Sequence, residues 1–222
     1  MATDAWQLAH VLPPALCAAV AVTALVASDC FDYRPGRYLG KPIAALAFVW
    51  MAISLGAPDT PYGSWLLAGL LCCLAGDLLL MPDSERCFLA GLVAFLCGHL
   101  LYGAAFLHLP RNFAGLAASA IPAVLLLVFV ARWLLPRVPA RMQWPVGAYT
   151  LVITGMLLCA GLSAGQPGSQ LIIGGAWGFA ISDLAVARRQ FLQPSRWNGL
   201  WGTPLYFLSQ MVLASSVAFV QG

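Results

Sequence analysis

Residues 64–81 read Ser-Trp-Leu-Leu-Ala-Gly-Leu-Leu-Cys-Cys-Leu-Ala-Gly-Asp-Leu-Leu-Leu-Met, an apolar run with one charge, Asp77, close to its end. A helix needs about 20 such residues to cross the hydrocarbon core of a bilayer, because each residue advances it by about 1.5 Å. An ionised carboxylate at that depth is costly and is by default a functional signal, although loop water also solvates acids at helix ends.

Outward from this run, further apolar stretches lie near 8–28, 42–57, 87–107, 114–134, 145–164, 171–187 and 201–220, separated by polar or Pro/Gly-rich breaks. The 222 residues are 61% hydrophobic and 9% charged, a composition that excludes an ordinary soluble domain. The expected fold is an all-α membrane protein, a bundle of about eight transmembrane helices that fills residues 1–222 as one domain. The second run is short, and an Asp interrupts the third and the seventh, so six or seven crossings are the alternative count.

Lys and Arg in short loops are retained on the cytoplasmic side. Of the 11 present, Arg34, Arg37, Lys41, Arg86, Arg132, Arg137, Arg141, Arg188, Arg189 and Arg196 fall on the odd-numbered loops and adjoining helix ends, and only Arg111 on an even one. The odd loops are therefore expected in the cytoplasm, with both termini on the opposite face. The net charge of +3 describes one membrane face and no nucleic-acid patch. Asp4 and the lack of a basic segment before the first run argue against a cleaved signal peptide. The 7 cysteines lie mostly within apolar runs, without metal-ligand spacing, and read as buried small hydrophobes. Arginine far outnumbers lysine and Ala and Leu abound, which hints at a GC-rich bacterial genome and the cytoplasmic (inner) membrane; in a eukaryote the endoplasmic reticulum would be the expected residence.

At an offset of about half the chain, Ala-Gly-Leu-Leu-Cys-Cys-Leu-Ala-Gly-Asp-Leu (68–78) aligns with Gly-Gly-Ala-Trp-Gly-Phe-Ala-Ile-Ser-Asp-Leu (174–184), pairing Gly69 with Gly175 and Asp77 with Asp183. This suggests two parallel four-helix repeats, roughly 1–110 and 111–222; chance similarity between apolar helices is the alternative. Residues four apart share a helix face, so Gly69, Cys73 and Asp77 form one stripe and Gly175, Phe179 and Asp183 another. Small residues permit close helix approach, which turns each Asp into the bundle. Both acids sit near the cytoplasmic ends of their helices, close enough in depth to share a cavity.

Other polar residues recur on single faces: His99 with Tyr102 on the fourth span, and Tyr206 with Gln210 on the eighth. Tyr149 on the sixth span is a weaker candidate, since a lone aromatic is more often packing or interface belt. Lys41 stands at the cytoplasmic edge of the second span, where it either snorkels or meets an anion.

These residues carry a resemblance to the YhhN-type lysoplasmalogenases, multi-pass membrane enzymes that hydrolyse the vinyl-ether bond of lysoplasmalogens. The match is spread over about residues 40–216: Lys41-Pro42, Gly76-Asp77-Leu78-Leu79-Leu80, Phe88-Leu89-Ala90-Gly91-Leu92, Phe95, His99-Leu100-Leu101-Tyr102, Tyr149, Ser182-Asp183, and Tyr206 with Gln210. The resemblance implies that a lysoplasmalogen is split into a fatty aldehyde and glycerophosphoethanolamine or glycerophosphocholine. No cofactor or metal is expected.

That chemistry protonates the vinyl β-carbon to an oxocarbenium ion, which water converts to a collapsing hemiacetal. It needs an acid, a base and negative charge near the cation. Two carboxyls in one pocket of low dielectric can supply all three, one protonated and one ionised, as in the acid and base pair of inverting glycosidases. Which Asp plays which part is open at this point, and His99 is an alternative proton relay. Tyr102, Tyr149, Tyr206 and Gln210 are candidate hydrogen-bond partners for substrate and water, and Lys41 for the substrate phosphate. The rival readings are a metal-dependent membrane hydrolase, an ion-coupled transporter, for which paired intramembrane acids are also typical, and, last, a purely structural or lipid-binding protein. Against the transporter, neither Asp-bearing span carries a mid-helix Pro.

Overall fold

The computed structural model describes residues 2–193 and 195–220, and only the backbone of residues 2–7 and of Arg196. The side chains of Asp4 and Arg196, both used in the sequence reading, lie outside what it describes. The described residues form α1 (Ala2–Cys30), α2 (Arg34–Ser54), α3 (Pro61–Leu79), α4 (Glu85–Phe106), α5 (Phe113–Trp133), α6 (Ala140–Leu162), α7 (Ser169–Phe191) and α8 (Arg196–Ser215), with short 3-10 turns at Ala57–Asp59, Leu135–Arg137 and Ser216–Phe219. The chain is an all-α, multi-pass membrane bundle.

Six helices, α1, α3, α4, α5, α6 and α7, are long and apolar enough to cross a bilayer by length and composition. α2 and α8, with 21 and 20 residues, are long enough but more polar. α2 turns Leu39, Ile43, Leu46, Trp50 and Ile53 outward, and its charges, Arg34, Arg37 and Lys41, lie in its first turns. α8 touches α1, α2, α3 and α7 and is extensively covered by protein. A helix shielded from lipid need not be apolar all round.

Helix ends extend beyond the apolar runs because hydropathy marks only the part of a helix within hydrocarbon. α2 starts at Arg34, well before the run at 42, with a proline in its first turn, where the missing N–H costs nothing. α3 is capped by Thr60, whose hydroxyl accepts from the Gly63 N–H at 3.0 Å, and α5 by Asn112, which accepts from the Gly115 N–H at 3.0 Å. Arg188 and Arg189 in the last turn of α7 complement its dipole. Neither α3 nor α7 has a proline beyond its first turn.

Consecutive helices pair α1 with α2, α3 with α4, α5 with α6 and α7 with α8. Two glycines set how closely they approach. A Cβ on Gly69 would lie 2.5 Å from the Tyr102 ring of α4, and one on Gly175 would lie 2.7 Å from Leu213 of α8. Both belong to the stripes that carry the acids, so the close approach that turns the acids inward is present in α3/α4 and in α7/α8. The main core includes Phe48, Leu66, Leu70, Phe106, Met156, Leu157, Phe179, Phe207 and Leu213. A smaller cluster, Val130, Leu134, Val138, Met142 and Val146, lies where α5 turns into α6, flanked by Phe88 and Phe191.

Candidate active site

The last turn of α3 carries Asp77, which is 1% exposed. Its Oδ1 lies 3.2 Å from Lys41 Nζ of α2, and its Oδ2 accepts from the Tyr206 hydroxyl of α8 at 2.7 Å. Lys41 therefore turns its ammonium onto an acid rather than out toward the lipid interface. No sequence periodicity links positions 41, 77 and 206; the contact of α2, α3 and α8 brings them together.

Asp183 on α7 has a different set of neighbours. Its Oδ2 accepts from the Tyr149 hydroxyl of α6 at 2.9 Å, and His99 Nε2 of α4 lies 3.4 Å from the same oxygen without the alignment of a hydrogen bond. The other ring nitrogen, Nδ1, is 2.7 Å from the Phe95 carbonyl oxygen, one turn back on α4. A carbonyl only accepts, so Nδ1 carries a proton, and in the neutral ring Nε2 has a lone pair and no hydrogen. The Phe179 ring, one turn before Asp183, stacks on the imidazole with centroids 4.2 Å apart and holds its plane.

Behind this lies a third polar pair. The Tyr102 hydroxyl donates to Gln210 Oε1 at 2.5 Å and lies 3.6 Å from Cys73 Sγ. Both Tyr102 and Gln210 are fully buried.

One cavity of about 640 Å³ is lined by both acids together with Lys41, Tyr149 and Tyr206. Its rim includes Pro82, Asp83 and Ser84 from the α3–α4 connection, Pro139 and Arg141 from α5–α6, and Arg189 and Asn198 from α7–α8, so it opens on the face of the odd loops. Arg141 is tied to Glu85 at 3.1 Å across that rim. One wall is apolar, built from Phe88, Leu92, Leu126, Val130, Met142 and Val146. Such dimensions suit a small amphiphile with one chain. Among the described residues no three His, Cys, Asp or Glu side chains converge as a metal ion would require.

Of the residues singled out in the sequence, Lys41, Asp77, Tyr149, Asp183 and Tyr206 reach the cavity wall. His99 lies behind Asp183, and Tyr102 and Gln210 lie deeper still. The sequence reading missed Thr150, Thr154, Asn198 and Thr203, which also line the cavity. Thr150 and Thr154 sit four apart beside Tyr149, a spacing that marks one helix face. Their hydroxyls donate to carbonyls one turn back, at 2.8 and 2.9 Å. Arg189 of the rim entered the sequence reading only as a topology marker.

The YhhN family model matches residues 36–217, most of the chain and every side chain of the cavity network. The chain belongs to the YhhN family. Among curated proteins, it is 30% identical to "Lysoplasmalogenase TMEM86B" of Homo sapiens over 184 residues, 79% of this chain and 71% of that protein. It is also 30% identical to the protein of the same name from Sus scrofa over 198 residues, 84% of this chain and 78% of the relative. "Lysoplasmalogenase TMEM86A" of Bos taurus is 29% identical over 182 residues, covering 79% and 74%. No solved structure matches this YhhN chain.

Proposed function

We propose that this YhhN-family protein is a membrane-embedded hydrolase of lysoplasmalogens, releasing a fatty aldehyde and glycerophosphoethanolamine or glycerophosphocholine. The observation that carries this reading is the meeting of Asp77 and Asp183 on one cavity that joins an apolar wall to a rim of charged side chains of both signs. The relatives' names support the substrate class.

In the proposed reaction one carboxyl protonates the β-carbon of the vinyl ether, leaving an oxocarbenium ion on the carbon bonded to oxygen. The other, as carboxylate, stabilises that cation and takes a proton from the attacking water. The resulting hemiacetal gives up its hydroxyl proton, its ether oxygen gains one, and it separates into aldehyde and alcohol. The net reaction consumes one water and no cofactor. Removing the carboxyls from bulk water strengthens their influence on the developing charge.

The alkenyl chain would lie along Leu126, Val130, Met142 and Val146, and the phosphate toward the guanidinium groups of Arg141 and Arg189. Lys41, whose ammonium is held by Asp77, would meet the phosphate only from one side. Tyr149 and Tyr206 would orient the acids beside the substrate, with His99, Tyr102 and Gln210 supporting from behind. We further propose a bacterial cytoplasmic membrane as the residence, with the odd loops and the cavity mouth in the cytoplasm, both termini outside, and the two halves arranged as parallel repeats.

The test is to incubate purified protein in detergent with a lysoplasmalogen and, separately, with an ester lysolipid. Aldehyde from the first alone is expected. No aldehyde at any pH refutes the reading, whereas a transporter would do nothing that survives loss of the compartment.

A further inference from the structure

Resting on the hydrolase reading, we propose that the two carboxyls have fixed and different duties: Asp183, backed by His99, delivers the proton to the vinyl-ether carbon, and Asp77, backed by Lys41, is the anion that receives a proton from water. The assignment follows from what each carboxyl faces. Asp77 meets an ammonium at Oδ1 and a phenol donor at Oδ2. An ammonium has donors and no acceptor, so a proton on Oδ1 would point at another proton, and both neighbours favour the charged form. α4 meets this turn of α3 with the Phe95 ring, which lies where a Cβ of Gly76 would be, and adds no charge there.

Among the described residues no cation is paired with Asp183. The titratable groups facing it are Tyr149 from α6, His99 from α4 and the buried Cys73 thiol from α3, while α8 meets this part of α7 with Gly202 against Ala185. Asp77 lines the same cavity, and its charge is already partnered by Lys41. With Nδ1 committed to the Phe95 carbonyl, the unprotonated His99 Nε2 is left without a hydrogen-bond partner, 3.4 Å from Asp183 Oδ2. A proton on Asp183, with a small turn of the carboxyl, gives Nε2 the donor it lacks. Placing it on the ring would make an ion pair whose imidazolium is wholly desolvated, since His99 is 0% exposed, and a neutral acid–imidazole pair avoids that cost.

In the reaction, the Asp183 O–H bond breaks and a C–H bond forms at the β-carbon, and the π electrons of the vinyl ether supply that bond. Water then bonds to the oxygen-bearing carbon and loses a proton to Asp77. Collapse of the hemiacetal moves its hydroxyl proton to the ether oxygen, and transfer of the Asp77 proton back to Asp183, through water in the cavity, restores the site. His99 is a positioning residue, holding the Asp183 proton between turnovers. Lys41 is another, keeping Asp77 ionised.

Two measurements test this. Infrared spectra of substrate-free protein in detergent near neutral pH should contain a protonated-carboxyl C=O stretch that Asp183→Asn deletes, His99→Gln shifts and Asp77→Asn leaves in place. Asp183→Glu, which keeps a carboxyl, should move the band and substitutes for the Asn variant should that fail to insert. The absence of such a band, or its deletion by Asp77→Asn, overturns the assignment whatever the substrate is. In the pH profile of aldehyde release, Lys41→Met should move the acidic limb to higher pH by about one unit, because an Asp77 that has lost its cation is protonated more easily. His99→Gln should move the alkaline limb to lower pH and leave the acidic limb alone. Exchange of the limbs between these variants refutes the duties assigned. If wild-type protein releases no aldehyde, the hydrolase reading falls, and the infrared result still decides where the proton resides.

Discussion

Asp77→Asn and Asp183→Asn should both nearly abolish hydrolysis, yet only the first should cost the fold appreciably. Asn preserves shape and an acceptor oxygen but can neither give up a proton as an acid nor carry charge. General acid or base participation contributes about 10²–10⁴-fold, or roughly 3–5 kcal/mol of barrier, so each variant should lose at least two orders of magnitude in aldehyde release. Stability separates them, because Asp77 balances Lys41 at 3.2 Å and Asp183 balances no cation. Breaking a buried ion pair from one side costs about 3–5 kcal/mol. The Lys41 side chain is 22% exposed and so partly reached by water, which reduces the expected loss to about 1–3 kcal/mol. For Asp183→Asn the Tyr149 hydroxyl retains an acceptor, and a change within about 1 kcal/mol is expected. Thermal unfolding in detergent and aldehyde release from the same preparations make the comparison. Lys41→Met combined with Asp77→Asn should recover most of the lost stability and none of the activity. Equal unfolding temperatures for the two Asn variants would sink the charge-balance reasoning, and more than about a tenth of wild-type turnover in either would demote that Asp to a structural part.

Gly175→Ala puts a methyl 2.7 Å from Leu213 and should destabilise the bundle by about 1–3 kcal/mol in detergent unfolding; a neutral result would mean that α7 and α8 separate freely. Tyr102→Phe removes a buried hydrogen bond to Gln210 and should cost about 1 kcal/mol of stability while leaving both limbs of the pH profile where they are; a moved limb would bring Tyr102 into the chemistry. Arg189→Ala should raise KM for a phosphate-bearing substrate several-fold with kcat nearly intact, and the reverse pattern would separate it from head-group binding. Reporters inserted near residue 138 and fused after residue 222 should fall on opposite membrane faces; the same face for both would overturn the charge-based orientation.

Much of this site was legible in order along the chain. The run at 64–81 identifies the solvent, and an acid within it marks a functional helix before any partner is known. Gly69 and Gly175 lie one stripe with the acids at helical spacing, so their role in close packing follows from periodicity alone. Lys41 shows where such reasoning stops. Its sequence neighbours suggest an interfacial cation, and only the three-dimensional contact of α2 with α3 supplies Asp77 as its partner. The unlike surroundings of the two acids were invisible for the same reason: the repeat aligns Asp77 with Asp183, but their polar neighbours come from α2 and α8 in one case and from α4 and α6 in the other. α8 is less apolar where neighbouring protein covers it, and α2 is less apolar because Arg34, Arg37 and Lys41 fall in its first turns; hydropathy separates neither case from a helix that does not span.

The apolar packing beyond Tyr102 and Gln210 has a bearing on the energy economy of the host membrane. Any membrane that stores work as a proton gradient leaks it through a continuous file of exchangeable groups. Here the polar network of the site reaches Tyr102 and Gln210, and a separate buried polar contact toward the opposite face is the Tyr62–Ser216 hydrogen bond at 2.6 Å. Leu66, Phe106 and Leu213, all fully buried, occupy the intervening turns of α3, α4 and α8. With the proposed topology the acids would exchange protons only with the compartment at the cavity mouth, and titratable groups near one end of the bundle would leave a gradient across the membrane undissipated.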